Sequence, residues 1–390
     1  MEEVDEVKKW WPTKCHNPKC GNDLKPEHQQ GSPVRQQVTE IILNPVMVTE
    51  HQYYACTCSI CGEVTRAARP REVPAGMFGA ELVSIVSILH GRYRLTEREI
   101  VQMLDEIWGL ELSLGSVAEM CHQTSEALAK PYEEILEEVS NSTHLNVDET
   151  GWKMGKVRQW LWVAVSSIAT VFLLNSKRDK AAFRKLVKES YKGIISSDRL
   201  RSYNGLEAAL HQWCWAHLLR DFRRLSECPG EGGIWGGEAL ELSRQVFEEW
   251  QAYREGEGKI SLAQLREALK PIREDFEQLL KEGKEHKDGG VRSLSGELSK
   301  ATASMWVFSE VEGVEPTNNA AERALRPAVI WRKTSFGSQS EGGLRFVERM
   351  LTVSSTLKQQ GRSLIKFVVS AIRAKWHGEA VPSLLSSPSP

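Results

Sequence analysis

The sequence predicts an α/β core, a mixed five-stranded sheet flanked by helices, with a helical insertion and two smaller segments ahead of it. Three observations predict it. Between Thr143 and Ser226 short apolar runs alternate with amphipathic helices. From Gly230 to about Glu310 the chain is helix-forming and charged, without strands. Five of the eight cysteines fall within residues 15–61, a clustering that favours metal over disulfides in a reducing compartment.

Residues 1–75 form the first segment. Cys15 and Cys20 are four residues apart, Cys58 and Cys61 two, and each pair ends in Cys-Gly, which suits two turns gripping one tetrahedral Zn²⁺. The ion would close a long loop and stabilise a module too small to bury a core of its own. Cys56 could replace Cys58, and His16, His28 and His51 are further candidate ligands. Short β-rich runs such as VTEIILNPVMV lie between the pairs, and the proline-punctuated ARPREVPAG reads as a linker.

Residues 76–140 carry apolar side chains at helical spacing, enough for three or four helices, with Thr96 and Ser113 as N-caps. The stretch RLTEREIVQMLDEIWGLELSLGSVAEMCHQTSEAL resembles a helix-turn-helix whose second helix, Leu114–Leu128, would enter a major groove.

The first part of the core, 141–229, opens with three consecutive strands, HLNVD, RQWLWVAVS and TVFLLN. A helix DKAAFRKLVKES, a strand GIISSD, a helix around YNGLEAAL, a strand HQWCW and a helix AHLLRDFRRL follow. The insertion occupies 230–312. The core resumes over 313–378 with EPTNNAAERALRP and two apolar-periodic helices, and the Pro- and Ser-rich residues 379–390 read as a disordered tail.

Three acids stand out in that order. Asp148 ends the run HLNV and Asp198 follows the run GII, so two parallel neighbouring strands would offer both carboxylates to one site. Glu322 lies within one helical turn of Arg323 and Arg326. Hard oxygen ligands of this kind suit two Mg²⁺ ions, with Mn²⁺ as an alternative, clamping a phosphodiester between them. Arg323, Arg326, Arg332 and Lys333 form a basic patch for phosphates. Glu149 would point away from Asp148 on a strand and is read as a supporting or capping group. Cys214 and His217 have a metal-binding spacing, but without a second pair they read as buried structure. Trp152, Trp160, Trp162, Trp213 and Trp215 read as mostly core.

Composition sets the remaining bounds. With 50 Lys+Arg against 52 Asp+Glu the net charge of −2 argues neither for nor against a nucleic-acid partner. No stretch of eighteen uncharged apolar residues exists, and the opening MEEVDEVKK is too polar for a signal peptide. The expected location is cytoplasmic, associated with the nucleoid, without a membrane.

The segments NVDETGW, SSDRLRSYNGL, WCWAHLLRDFRRL and NNAAERALRP followed by IWRKTSFGS resemble the Insertion Sequence 66 family of bacterial transposases over nearly the whole chain. The resemblance implies an RNase H-like catalytic core with Asp148, Asp198 and Glu322 as its DDE triad, a zinc-binding segment at 15–61 and a DNA-binding segment at 77–139. It implies terminal inverted repeats and target DNA as partners, a homodimer or higher assembly, and accessory proteins encoded by the same element. Two features depart from the family's pattern. The first cysteine pair carries two extra residues, and the coiled-coil N-terminus of longer members is not part of this sequence. A catalytically silent, transposase-derived DNA-binding regulator is the alternative. A serine or tyrosine recombinase using Ser197 or Tyr203 is a rival enzyme class.

Overall fold

The computed structural model describes residues 7–36, 45–61, 63–255 and 260–385. The chain divides into two units, Met1–Val48 and Thr49–Pro390. In the first, Lys14 and Asp23 form a bridge and the Cys15 N–H bonds Asn22 O at 2.8 Å. Much of the apolar run at 38–48 lies outside the described residues, as do the His28 side chain and Gly62.

The second unit begins with a hairpin of β1 (Ala55–Thr57) and β2 (Val64–Arg66). Four helices follow, α1 (Ala80–Gly91), α2 (Glu97–Trp108), α3 (Leu114–Ala127) and α4 (Ala129–Glu138). Both expected caps form. Thr96 and Glu99 make a reciprocal capping box, and Ser113 Oγ accepts the Ser116 N–H at 3.0 Å.

The core sheet has the order β5-β4-β3-β6-β7. Strands β3 (His144–Met154), β4 (Val157–Val165) and β5 (Thr170–Asn175) run as an antiparallel meander. The first turn is the two residues Gly155-Lys156, and Gly155 takes the positive φ of 54° that such a turn demands. After α5 (Lys180–Leu186) the chain crosses back, and β6 (Ile194–Ser197) and β7 (His211–Trp213) add in parallel on the other side of β3.

The helix expected around YNGLEAAL is absent. That stretch holds two single 3-10 turns, Arg201–Tyr203 and Ala208–Leu210, separated by Gly205 at φ +92°. A left-handed glycine between extended residues breaks a helix that the apolar spacing alone would allow.

Helix α6 (Trp215–Ser226) starts at Cys214. The insertion supplies α7 (Glu231–Arg254), α8 (Leu262–Lys284), α9 (Gly289–Leu298) and the short α10 (Val307–Glu310). Together with α6 they enclose a second apolar core, in which Trp215 packs edge to face against Phe276, Trp306 and Phe308. The main core lies among α1–α4, the sheet and three last helices, α11 (Asn319–Ser335), α12 (Glu341–Gln359) and α13 (Leu364–His377).

Helix α12 lies along the outer border of β5. The outward N–H groups of Thr170, Phe172 and Leu174 are accepted by Thr356 Oγ1 (3.1 Å), Thr352 Oγ1 (3.0 Å) and Glu348 Oε1. The match is geometric. Four helical residues rise about 6 Å and two strand residues about 6.8 Å, so acceptors at i, i+4 and i+8 track alternate strand donors.

The tail is ordered as far as it is described. Leu384 is buried and its N–H bonds Glu134 Oε2 at 3.0 Å. Composition counted the prolines and serines here but not the apolar side chain that docks.

Candidate active site

Asp148 lies in the middle of β3 rather than at its end, because the antiparallel ladder with β4 carries the strand on to Met154. The parallel pairing with β6 does stop early, at Asn146↔Ser196. Asp148 and Asp198 each lie two residues beyond that last pair, and the Asp198 charge reaches the Asp148 carboxyl.

Helix α11 brings Glu322 to them, held at both ends. At its start the Asn318 side chain donates to Val147 O (2.7 Å) on β3 while its backbone N–H reaches Cys214 Sγ (3.2 Å) at the head of α6. Pro316 O accepts the Trp215 N–H at 2.9 Å. At its end Ser338 docks on the β3 terminus, its N–H on Lys153 O (3.0 Å) and its O accepting from Gly155 N (2.8 Å). Between these clamps lies a cleft of about 340 Å³ lined by Asp148, Glu149, Thr150, Glu322, Leu325, Arg326, Val329 and Ile330.

Burial pushes the Asp148 carboxyl up from 3.8 to about 7, and the neighbouring charge of Glu149, with those of Asp198 and Glu322, adds to the rise. The Glu149 N–H on Asp148 Oδ1 (2.8 Å) offsets part of it. No Lys or Arg among the described residues pairs with Asp148 or Asp198, so the excess negative charge is left for a cation to neutralise.

Glu149 is occupied elsewhere. It is buried, with Arg178 on Oε1 (2.5 and 2.9 Å) and the Tyr203 hydroxyl on Oε2 (2.6 Å). Burial raises its pKa, against the Tyr203 bond and the Arg178 pair. Tyr203 is thereby engaged and only 2% exposed, and Ser197 is fully buried against His211 Nε2 (2.8 Å). Neither hydroxyl is open to a phosphodiester.

The basic patch splits. Arg326 lines the cleft and Arg323 and Lys333 are exposed on the same helix. Arg332 instead turns inward to Gly151 O and Thr150 Oγ1, pinning α11 to β3. Sequence reasoning missed Arg220, whose Nη2 lies 3.9 Å from Glu322 Oε1, and the linchpin Asn318. The Asn-Asn pair before the helix is the only sequence signal for the latter, and nothing marks Arg220 from 102 positions away.

Of the five tryptophans, Trp152, Trp162, Trp213 and Trp215 are buried and Trp160 is partly covered beneath Arg158 and Arg178. The open side of α3 carries Ala118, Glu119, His122 and Glu126 and no Lys or Arg, while Val117, Met120, Cys121 and Thr124 face the core. Cys15 and Cys20 fall in the first unit, Cys58 and Cys61 in the second. Cys58 N–H bonds Glu63 O at 2.8 Å, and the main-chain N–H groups of Cys61 and Ile60 lower the Cys58 thiol's pKa.

The model of the Transposase IS66 family matches residues 75–345, a stretch that includes Asp148, Asp198 and Glu322. The uncharacterized protein y4hP of Sinorhizobium fredii (strain NBRC 101917 / NGR234) is 25% identical over 344 residues, covering 77% of this chain and 60% of the relative. The uncharacterized protein y4qI of the same strain is 24% identical over 332 residues, covering 75% and 58%. The chain spans about three fifths of the length of these curated relatives.

Proposed function

The chain belongs to the IS66 family of transposases, and from that premise we propose that it is a DDE transposase with an RNase H-like core that cleaves the ends of a mobile element. Water attacks a phosphodiester at the element's terminal repeat and releases a 3′-OH. That hydroxyl then attacks a phosphodiester of target DNA, forming the new bond as the target's own 3′-oxygen leaves. The observation that supports this reading is a cleft lined by Asp148 from a central strand and Glu322 from a clamped helix, with Asp198 near enough for its charge to raise the Asp148 pKa.

Three carboxylates crowded with no cationic partner on the two aspartates suit hard divalent ions, Mg²⁺ or Mn²⁺. When bound, such ions polarise the phosphate and stabilise the attacking and leaving oxygens. The protein's own groups do the positioning. Arg326 on the cleft wall meets phosphate oxygens, Arg323 and Lys333 hold the adjoining backbone, and the Glu149–Arg178–Tyr203 set fixes β3 beneath Asp148.

The remaining parts of the reading rest on the resemblance: Cys15 and Cys20, and Cys58 and Cys61, are candidate ligands of structural Zn²⁺, and the helices of 76–140 adjoin the DNA by surfaces other than the open side of α3. The enzyme acts as a homodimer or higher assembly in the bacterial cytoplasm at the nucleoid, with accessory proteins of the same element.

The test is Mg²⁺-dependent cleavage of a labelled duplex carrying the element's own end, by the intact chain and by Asp148→Ala, Asp198→Ala and Glu322→Ala. Loss of at least 10³-fold, on the order seen when an essential charge-stabilising group is removed, is expected in all three. Binding without cleavage by the intact chain, supplied with the element's accessory proteins, would leave the silent regulator as the better account.

A further inference from the structure

Cys214, His217 and Glu322 offer a sulfur, a ring nitrogen and a carboxylate oxygen that all lie within 4.8 Å of one another. By spacing alone Cys214 and His217 read as buried structure, since no second pair of ligands follows them. The third ligand comes from α11, 105 positions after His217, through the Asn318 clamp that seats the helix on the head of α6.

Cys214 is 1% exposed and caps α6; burial raises its thiol's pKa, against the main-chain N–H groups of Asn318, His217 and Ala216. His217 Nδ1 is buried and has no hydrogen-bond partner. An orphaned buried ring nitrogen costs stability unless something fills its lone pair or takes its proton. Glu322 has only the loose contact with Arg220, whose Nη1 also approaches His217 Nε2 at 3.3 Å.

We propose that Cys214, His217 and Glu322 form a second metal site, for a zinc-class ion, that shares Glu322 with the oxygen-only catalytic site. A thiolate and an imidazole select Zn²⁺ or Co²⁺ over Mg²⁺. Thiolate and carboxylate together neutralise the ion's two charges, and the Cys214 proton leaves to solvent on binding. Tetrahedral coordination asks for ligand spacings of roughly 3.5 Å, which a change in the Glu322 side-chain torsions supplies. Three protein ligands leave a fourth position open to water or an oxygen of DNA. Binding stands without the cleavage reading; the consequence that a soft ion would draw Glu322 away from the catalytic pair rests on it.

The experiment is titration of the chelator-stripped full chain with Co²⁺, following the sulfur-to-cobalt charge-transfer band and the number of ions bound. Cys214→Ala and His217→Gln are each expected to bind one ion fewer than the intact chain. Cys214→Ala loses part of the band, whereas His217→Gln, which touches little of the core, controls for misfolding. Cys58→Ser is expected to keep this ion. Equal stoichiometry and equal band intensity in the intact chain and both site variants would overturn the proposal, whatever the cleavage assay shows.

Discussion

At the scale of single residues, Asp148 makes the sharpest prediction. Its folded-state pKa is raised from 3.8 to about 7, chiefly by burial. An acid raised on folding contributes stability that is complete below its unfolded pKa and is lost as pH climbs through the folded one. The free protein is therefore expected to lose stability between about pH 4 and pH 7, and Asp148→Asn to lose less. The difference grows to at most about 4 kcal/mol by pH 8. Thermal melts across that range check it, and parallel curves for the two proteins would refute it. Mg²⁺ should raise the intact protein's melting temperature at pH 8 and leave the variant's nearly unchanged. The acids themselves were legible because each follows a short apolar run or opens a helix. The direction of Arg332 was not, since helical spacing puts it among basic neighbours while the Gly151 carbonyl decides where it points.

At the scale of elements, α11 works because both its ends are fastened to β3. Gly337 is the tightest point of the second fastening. It sits at φ +99°, and a Cβ there would lie 2.5 Å from Lys153 O. Gly337→Ala is expected to cost about 1–3 kcal/mol and to lower cleavage more than binding, because Glu322 swings with the helix. Urea denaturation and the two assays test this; an unchanged midpoint would mean that the Ser338 contacts do not constrain the helix. The strands of the core and the caps Thr96 and Ser113 could be read from local pattern, because periodicity and capping are properties of a few neighbours. The helix expected at YNGLEAAL failed for the same reason, its fate being set by one left-handed glycine. The third ligand beside Cys214 lay beyond local pattern altogether.

At the scale of the whole molecule, the distribution of charge bears on where the proposed DNA partner would lie. The open side of α3 presents Glu119, and Glu126 paired with Arg349, and no Lys or Arg of its own where a recognition helix was expected. Exposed cations lie instead on α11 (Arg323, Arg326, Lys333) and on α6 (Arg220, Arg223, Arg224). Arg323→Ala and Lys333→Ala are each expected to lower the slope of log affinity against log salt by about 1, and Glu119→Ala to leave it unchanged. The reverse pattern, measured by anisotropy over a salt series, would restore α3 to the groove. The border formed by α12 bears on assembly. With the outward donors of Thr170, Phe172 and Leu174 already taken by Thr356, Thr352 and Glu348, β5 has no outward N–H left for a further strand. A neighbouring copy cannot zip onto that margin, and neither can a stray strand from a misfolded one. Under the proposed assembly on paired DNA ends, two copies would not join along the β5 border, and the intermediates of that assembly are spared one route into fibres.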